Sequence, residues 1–218
     1  MHPELERRVA EAAAVLRAGG IVVYPTETFY GLGALSSAGD ALDRLARAKL
    51  RPEGKPLPLL AADRAQVLAV ATLEGAAARL ADRFWPGPLT LVLPARPGLH
   101  PAITAGGATI GIRVPGSELA RALAAAAGAP LVSTSANLSG GPPPDRVEAL
   151  DPALRARVDH VLDAGPTPGG LASTVVLVEG EALRLVRAGA VPFEDLQAEL
   201  ARGGALPAGP GAGRGPRR

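Results

Sequence analysis

The 218-residue chain contains no cysteine, which excludes disulfides, thiolate metal sites and a cysteine nucleophile together. Aromatic residues number only six, so the interior must be filled by aliphatic side chains rather than by stacked rings. The three histidines, His2, His100 and His160, lie far apart without ligand spacing, which speaks against a histidine metal centre or a Ser–His pair. No GxSxG elbow is present to support a serine hydrolase. An apolar run long enough to span a bilayer is missing as well. Met1 to Ala14 carries Glu4, Glu6, Arg7, Arg8 and Glu11 where a secretory leader would be apolar, so no membrane association and a cytoplasmic location are expected. Lysine is almost absent, with two against 21 arginines, and both lysines, Lys49 and Lys55, fall in one loop around Arg51.

What is present is an aliphatic composition, 47% hydrophobic and dominated by Ala, Leu and Val, in a length that suits one domain with a substantial core. The formal net charge is +2, but the stretch Gly203 to Arg218 holds three arginines and no acid. Without those three charges the body stands at −1, so positive charge can matter only locally. Residues 1–202 are read as the domain, and residues 203–218, rich in Gly, Pro and Ala, as a disordered tail that either touches RNA weakly or has no role.

Periodicity places an amphipathic helix over Pro3 to Ala18, a buried strand at IVVYP, and a short helix with Asp40 as its N-cap and Lys49 at its C-terminal end. An extended LPLLAA segment, an Asp63-capped helix, a helix from about Leu73 to Phe84 and the turn-strand FWPGPLTLVLPA follow. Then come the strand TIGIRVP, a Ser117-capped helix through Ala127 and the strand PLVSTSA. A helix over Asp151 to Val158, a strand DHVLDA, a strand pair STVVLV and ALRLVR, and a last helix from Pro192 to Arg202 complete the chain. Alternating strands and helices predict an α/β fold with a mixed sheet covered by helices on both faces.

Two strands carry polar groups on one face. In TIGIRVP the period of two sets Thr109, Gly111 and Arg113 against Ile110 and Ile112, so a hydroxyl, a bare backbone and a guanidinium look the same way. In LVSTSANLSGGPPP, Ser133 and Ser135 share a face and Asn137, the single asparagine of the chain, stands just beyond. Hydroxyls, an amide and free backbone N–H groups suit an anion better than redox or acid–base chemistry. An ordinary half-exposed strand and a Ser/Gly turn are the alternatives. RPEGKP lacks the first Gly and the last Ser/Thr of a P-loop, and GLGALS fails the dinucleotide fingerprint at its third glycine. Because lysine is a compact point charge and arginine a wide planar fork, the two retained lysines mark their loop as a place to meet an anion.

PTETFYGLG, AKLRPEGKPL, FWPGPLTLVL, TIGIRVP, STSANLSGGPPP and LVRAGA, in this order and spacing from about Gly20 to Ala190, resemble the YrdC-like threonylcarbamoyl-AMP synthase family, in its single-domain TsaC type. The resemblance implies a twisted mixed sheet with helices on both faces around a positively lined cavity. It implies that L-threonine, bicarbonate and ATP give L-threonylcarbamoyladenylate and pyrophosphate, with Mg2+ accompanying ATP. The product would serve N6-threonylcarbamoyladenosine formation at position 37 of tRNA through a TsaD-type partner complex. Carried over residue by residue, Lys49, Arg51, Lys55, Thr109, Ser135, Asn137 and Arg187 fall on ATP-contacting positions, with Lys49 and Arg51 as the catalytic pair. Thr28, Arg113, Ser133 and Ser173 fall on the threonine site, with Tyr30 as a wall of the pocket. No protein metal ligand is implied. Leu60 and Pro143 depart from branches that place His and Ser there. A non-catalytic RNA-binding module and a carbamoyl-adenylate former of the hydrogenase-maturation kind are the rival readings.

Overall fold

The computed structural model of the protein describes residues 2–50, 52 and 54–203; Arg51 and the tail beyond Gly203 lie outside the described residues. In chain order the elements are α1 (Pro3–Arg17), β1 (Val22–Pro25), β2 (Tyr30–Leu35), α2 (Gly39–Ala48), β3 (Leu59–Leu60), α3 (Arg64–Val70) and α4 (Gly75–Phe84). They continue with β4 (Leu89–Pro94), α5 (Pro101–Thr104), β5 (Thr109–Arg113), α6 (Glu118–Ala127), β6 (Leu131–Ser135) and a 3-10 turn at Val147–Ala149. The last are α7 (Pro152–Arg155), β7 (His160–Val161), β8 (Thr174–Glu179), β9 (Ala182–Arg187) and α8 (Phe193–Gly203). One mixed sheet runs β7-β1-β2-β6-β3-β5-β4-β8-β9, with β1–β7, β3–β5 and β4–β8 parallel and the other neighbours antiparallel.

Local chemistry accounts for most element starts. The Asp63 carboxylate accepts from Gln66 N at 2.9 Å and opens α3, and Ser117 Oγ accepts from Ala120 N at 3.2 Å and opens α6. Asp40 is not the cap expected of it. Ala38 holds the N-cap of α2 without a side-chain bond, and Asp40 sits inside the first turn, where its charge favours the helix dipole instead. His2 and His100 cap α1 and α5 through Nδ1.

The strand β2 was not legible, since YGLGAL contains two glycines that weaken strand propensity. All six residues are nevertheless buried. Gly31 and Gly33 are needed because the ring of Tyr24, paired across from Gly31, lies over them. A Cβ on Gly33 would stand 2.8 Å from Tyr24 Cε1 and 2.6 Å from Val132 O.

Strand register divides the sheet into two unlike faces. On one, Val23, Tyr30, Leu32, Leu59, Leu89, Leu91, Ile110, Ile112 and Val176 form a continuous aliphatic core with α2, α3, α4 and α8. On the other, Val22, Tyr24, Leu35, Leu60 and Leu131 pack under α1 and α6. Among the described residues no member of β4, β5, β8 or β9 joins this second core, so the apolar packing under α1 and α6 does not extend over the further part of that face. An expanse with no apolar cover must be lined by groups that tolerate water or bind something.

Candidate active site

The region beyond this apolar packing is where the polar alternation of the strands comes out. Gly33 pairs with Ser133 and Gly31 with Ser135; Leu60 pairs with Arg113, and Val92 with Gly111, so Ser133, Ser135, Thr109, Gly111 and Arg113 point from neighbouring strands to one side. In β5 the isoleucines are buried while Thr109 is exposed and Arg113 half-buried, as the period of two requires. Thr90, the one polar residue among the alternating leucines of β4, joins this face, and Gly111 gives it room: a Cβ there would touch Thr90 Cγ2 at 3.4 Å.

Two guanidiniums belong to this region, each held by its own partner. Arg113 Nη1 donates to Glu27 Oε1 at 2.8 Å, with the two side chains 11% and 16% exposed. Arg187 donates from Nη2 to Ser173 O at 2.8 Å and to Ser173 Oγ at 3.0 Å. Ser173 Oγ in turn lies 3.0 Å from Thr90 Oγ1. Burial, and then the neighbouring charge of Arg113, push the Arg187 guanidinium below its ordinary value. The glycine of LVRAGA fixes this corner, because a Cβ on Gly189 would stand 2.3 Å from Ala172 O; only a bare Cα lets the chain lie against residues 172–174.

Lys49 answers the question of the retained lysines differently from the expectation. It is 2% exposed at the C-terminal end of α2, and its ammonium donates to the backbone carbonyls of Ser135 and, at 2.7 Å, of Asn137. Ser139 N returns a bond to Lys49 O at 3.0 Å. Lys49 thus clamps the serine-rich turn from beneath. Asn137 Nδ2 closes that turn onto Leu138 O and Gly141 O, at 2.7 and 2.6 Å. Its Oδ1 is buried without a hydrogen-bond partner. Lys55 is exposed in the loop between α2 and β3, and Arg51 lies outside the described residues.

Thr28 follows Glu27 in a loop that Thr26 folds by donating to Phe29 O at 2.7 Å and accepting from Thr28 N at 3.2 Å. Tyr30 is the exception. Adjacent strand residues face opposite ways, so with Gly31 on the site face Tyr30 belongs to the other core, fully buried, its hydroxyl donating to Gly165 O at 2.7 Å and lying 3.1 Å from Asp163 Oδ1. It is a strut and not a pocket wall. The tyrosine on the site face is Tyr24, whose buried hydroxyl lies beside Ser133 without a well-formed hydrogen bond.

Three residues of the site escaped the sequence reading. Thr90 carried a usable signal, as the polar member of LTLVL. Glu27 stands inside the motif that supplies Thr28 and Tyr30, and Tyr24 lies in a strand whose pattern predicts burial. Two surface concavities, of about 530 Å3 beside Arg44, Arg47 and Arg157 and about 360 Å3 beside Trp85 and Arg121, contain none of these residues. Among the described residues no three His, Asp or Glu side chains gather to hold a metal. No helix among them is long and apolar enough to cross a membrane.

Burial raises both tyrosine hydroxyls to about 12. A phenol whose pKa is raised on folding favours the folded state below its unfolded value of about 10, and loses that contribution as pH climbs from there towards 12. Phenolate absorbance should therefore stay silent near pH 10 and rise near pH 12 or together with unfolding. A simple titration near the ordinary value would show that the two rings are not buried.

Known proteins resemble the chain over most of its length. The model of the family comprising Sua5, YciO and YrdC, described as "Telomere recombination", matches residues 14–189. The threonylcarbamoyl-AMP synthase of Bacillus subtilis (strain 168) is 41% identical over 198 residues, covering 88% of this chain and 56% of that protein. That of Stenotrophomonas maltophilia (strain K279a) is 44% identical over 170 residues, covering 77% of this chain and 90% of the relative. The crystal structure of P. abyssi Sua5 complexed with L-threonine superposes with a TM-score of 0.82 at 35% identity, covering 89% of this chain and 57% of the other. The chain thus spans little more than half the length of the Bacillus and Pyrococcus proteins. With the matched model covering most of the chain and these identities alongside it, the chain belongs to the Sua5/YciO/YrdC family.

Proposed function

We propose that the chain is a threonylcarbamoyl-AMP synthase, forming L-threonylcarbamoyladenylate from L-threonine, bicarbonate and ATP. The observation that carries the reading is the convergence of Arg113 and Arg187 with Ser133, Ser173 and Thr90 on the sheet face beyond the apolar core under α1 and α6. Such a surface holds anions and hydroxyls.

The reaction asks for little else. The threonine amine condenses with bicarbonate, releasing water and leaving a carbamate. A carbamate oxygen attacks the α-phosphorus, the P–O bond to the β-phosphate breaks, and pyrophosphate leaves with its electron pair. Since the carbamate is already an anion, no Ser, Cys or His nucleophile is needed; positioning and charge neutralisation are the work. In this reading Arg113, with Ser133, Ser173 and Thr28, receives threonine, its fork meeting the carboxylate. Ser135, Asn137, Thr109, Lys55, Arg51 and Arg187 receive the nucleotide, with Lys49 holding the turn that carries two of them. Magnesium enters on the phosphates, as part of the nucleotide substrate. The product is a reactive mixed anhydride with phosphate, and a transferase of the TsaD type, acting on adenosine 37 of tRNA, would consume it.

Pyrophosphate release should require threonine and bicarbonate together. Serine, lacking one methyl group, should be used about 10- to 200-fold less efficiently, since a methyl in a pocket is worth about 1–3 kcal/mol. Equal release with and without threonine would remove the reading.

A further inference from the structure

Glu27 presents a difficulty for a site that must receive a carboxylate. Its own carboxylate already holds the guanidinium that Arg113 would offer, and it does so with both side chains largely withdrawn from water. A pair of this kind gains little net stability, because desolvating the two charges offsets their attraction. What it does provide is direction. Only Nη1 of Arg113 is engaged; among the described residues neither Nε nor Nη2 makes a hydrogen bond.

The carboxylate is itself well placed. Thr26 folds the loop that carries it, Ser117 N donates to Oε2 at 3.4 Å from the start of α6, and Gly116 lies so near that an added Cβ would be 3.5 Å from Glu27 Cγ. Electrostatics favours an acid here as well. The positive charge of Arg113 acts on Arg187, and a carboxylate beside Arg113 offsets that repulsion.

We propose that Glu27 is a positioning residue, holding Arg113 by Nη1 through the loop between β1 and β2, so that the remaining edge of its guanidinium is presented to the carboxylate of the amino-acid substrate. This rests on the reading of Arg113 as the threonine partner. A bidentate acceptor uses two parallel N–H groups of one fork, and a guanidinium anchored by one nitrogen keeps such an edge fixed for it. The same loop carries Thr28, so one short segment orients two threonine-site groups together.

The test compares Glu27→Ala with Glu27→Gln, which keeps an acceptor but removes the charge. By threonine-dependent pyrophosphate release, Glu27→Ala should raise KM for threonine about tenfold while KM for ATP changes less than about twofold, and Glu27→Gln should lie within about threefold of wild type. A merely structural role would instead move both constants together, while some loss of melting temperature is expected on either account because Arg113 is left without its anion. A second readout needs no activity. In 15N-labelled protein the Arg113 guanidinium, identified by its loss in Arg113→Lys, should show separate, slowly rotating Nη signals in wild type that merge in Glu27→Ala.

Threonine KM unchanged in Glu27→Ala, both constants rising together, or tighter threonine use would overturn the proposal; the last would make Glu27 a competitor of the substrate. Should the wild type release no threonine-dependent pyrophosphate, the functional reading fails, and the guanidinium signals alone decide. Merging in Glu27→Ala then supports the anchoring, and unchanged signals refute it.

Discussion

Arg113→Ala is expected to lower kcat/KM for threonine about 100-fold, or about 2.8 kcal/mol, with KM for ATP nearly unchanged. A lost charge-assisted hydrogen bond costs about 1.5–3 kcal/mol, and here the substrate carboxylate would lose its only cationic partner in the threonine set. The folded state should suffer too. Glu27, 16% exposed, is left without its cation, and an unpaired buried acceptor costs about 1–3 kcal/mol, or roughly 2–10 °C in melting temperature for a chain of this size. Removing Glu27 as well should restore stability and not threonine use. Steady-state kinetics for both substrates beside melting curves of the single and double variants would decide. A rise in the ATP constant alone would show that Arg113 belongs to the nucleotide.

Lys49→Ala should damage stability and activity at once, because the ammonium is an internal cross-link and not a solvated charge. Its removal leaves the carbonyls of Ser135 and Asn137 without this donor in an almost closed place, at a cost of about 2–4 kcal/mol. The turn bearing Ser135 and Asn137 would loosen, and kcat/KM should fall at least about 100-fold. Burial changes the expectation for Lys49→Arg as well. At an exposed triphosphate contact arginine would spoil binding only; at a site 2% exposed it must also fit a larger planar group, and overpacking of this kind costs about 1–3 kcal/mol. Melting curves alone distinguish these cases, and an unaltered melting temperature in both variants would show that Lys49 is not a clamp.

Much of this molecule could be read before any fold was known, because the signals involved are local. Asp63 and Ser117 announce their helices since a cap bonds two or three residues away. TIGIR and LVSTS declare which residues share a face, since pleating depends only on neighbouring peptides. The missing cysteine and the scattered histidines fix which chemistries the chain can support, as these are matters of composition. Six ordered motifs sufficed to place the family.

Tertiary structure alone decided which face of those strands would be covered, and by what. Periodicity separates two faces but assigns neither to a ligand; that needed α1 and α6 to cover one half of a sheet and stop. The parity of β2 followed from its pairing with β1 and β6, and it exchanged Tyr30 for Tyr24 at the site, a difference of one residue in register that reverses a side chain. Glu27 meets Arg113 across 86 positions, and Lys49 meets the 135–137 carbonyls across about as many, so no window of sequence contains either pair. Lysine was conspicuous by its rarity, yet rarity could not say whether the charge would point into solvent, into a ligand or, as it does, into the chain's own carbonyls. Contacts of that kind are set by the packing of distant segments, and their energies exist only once the chain has closed.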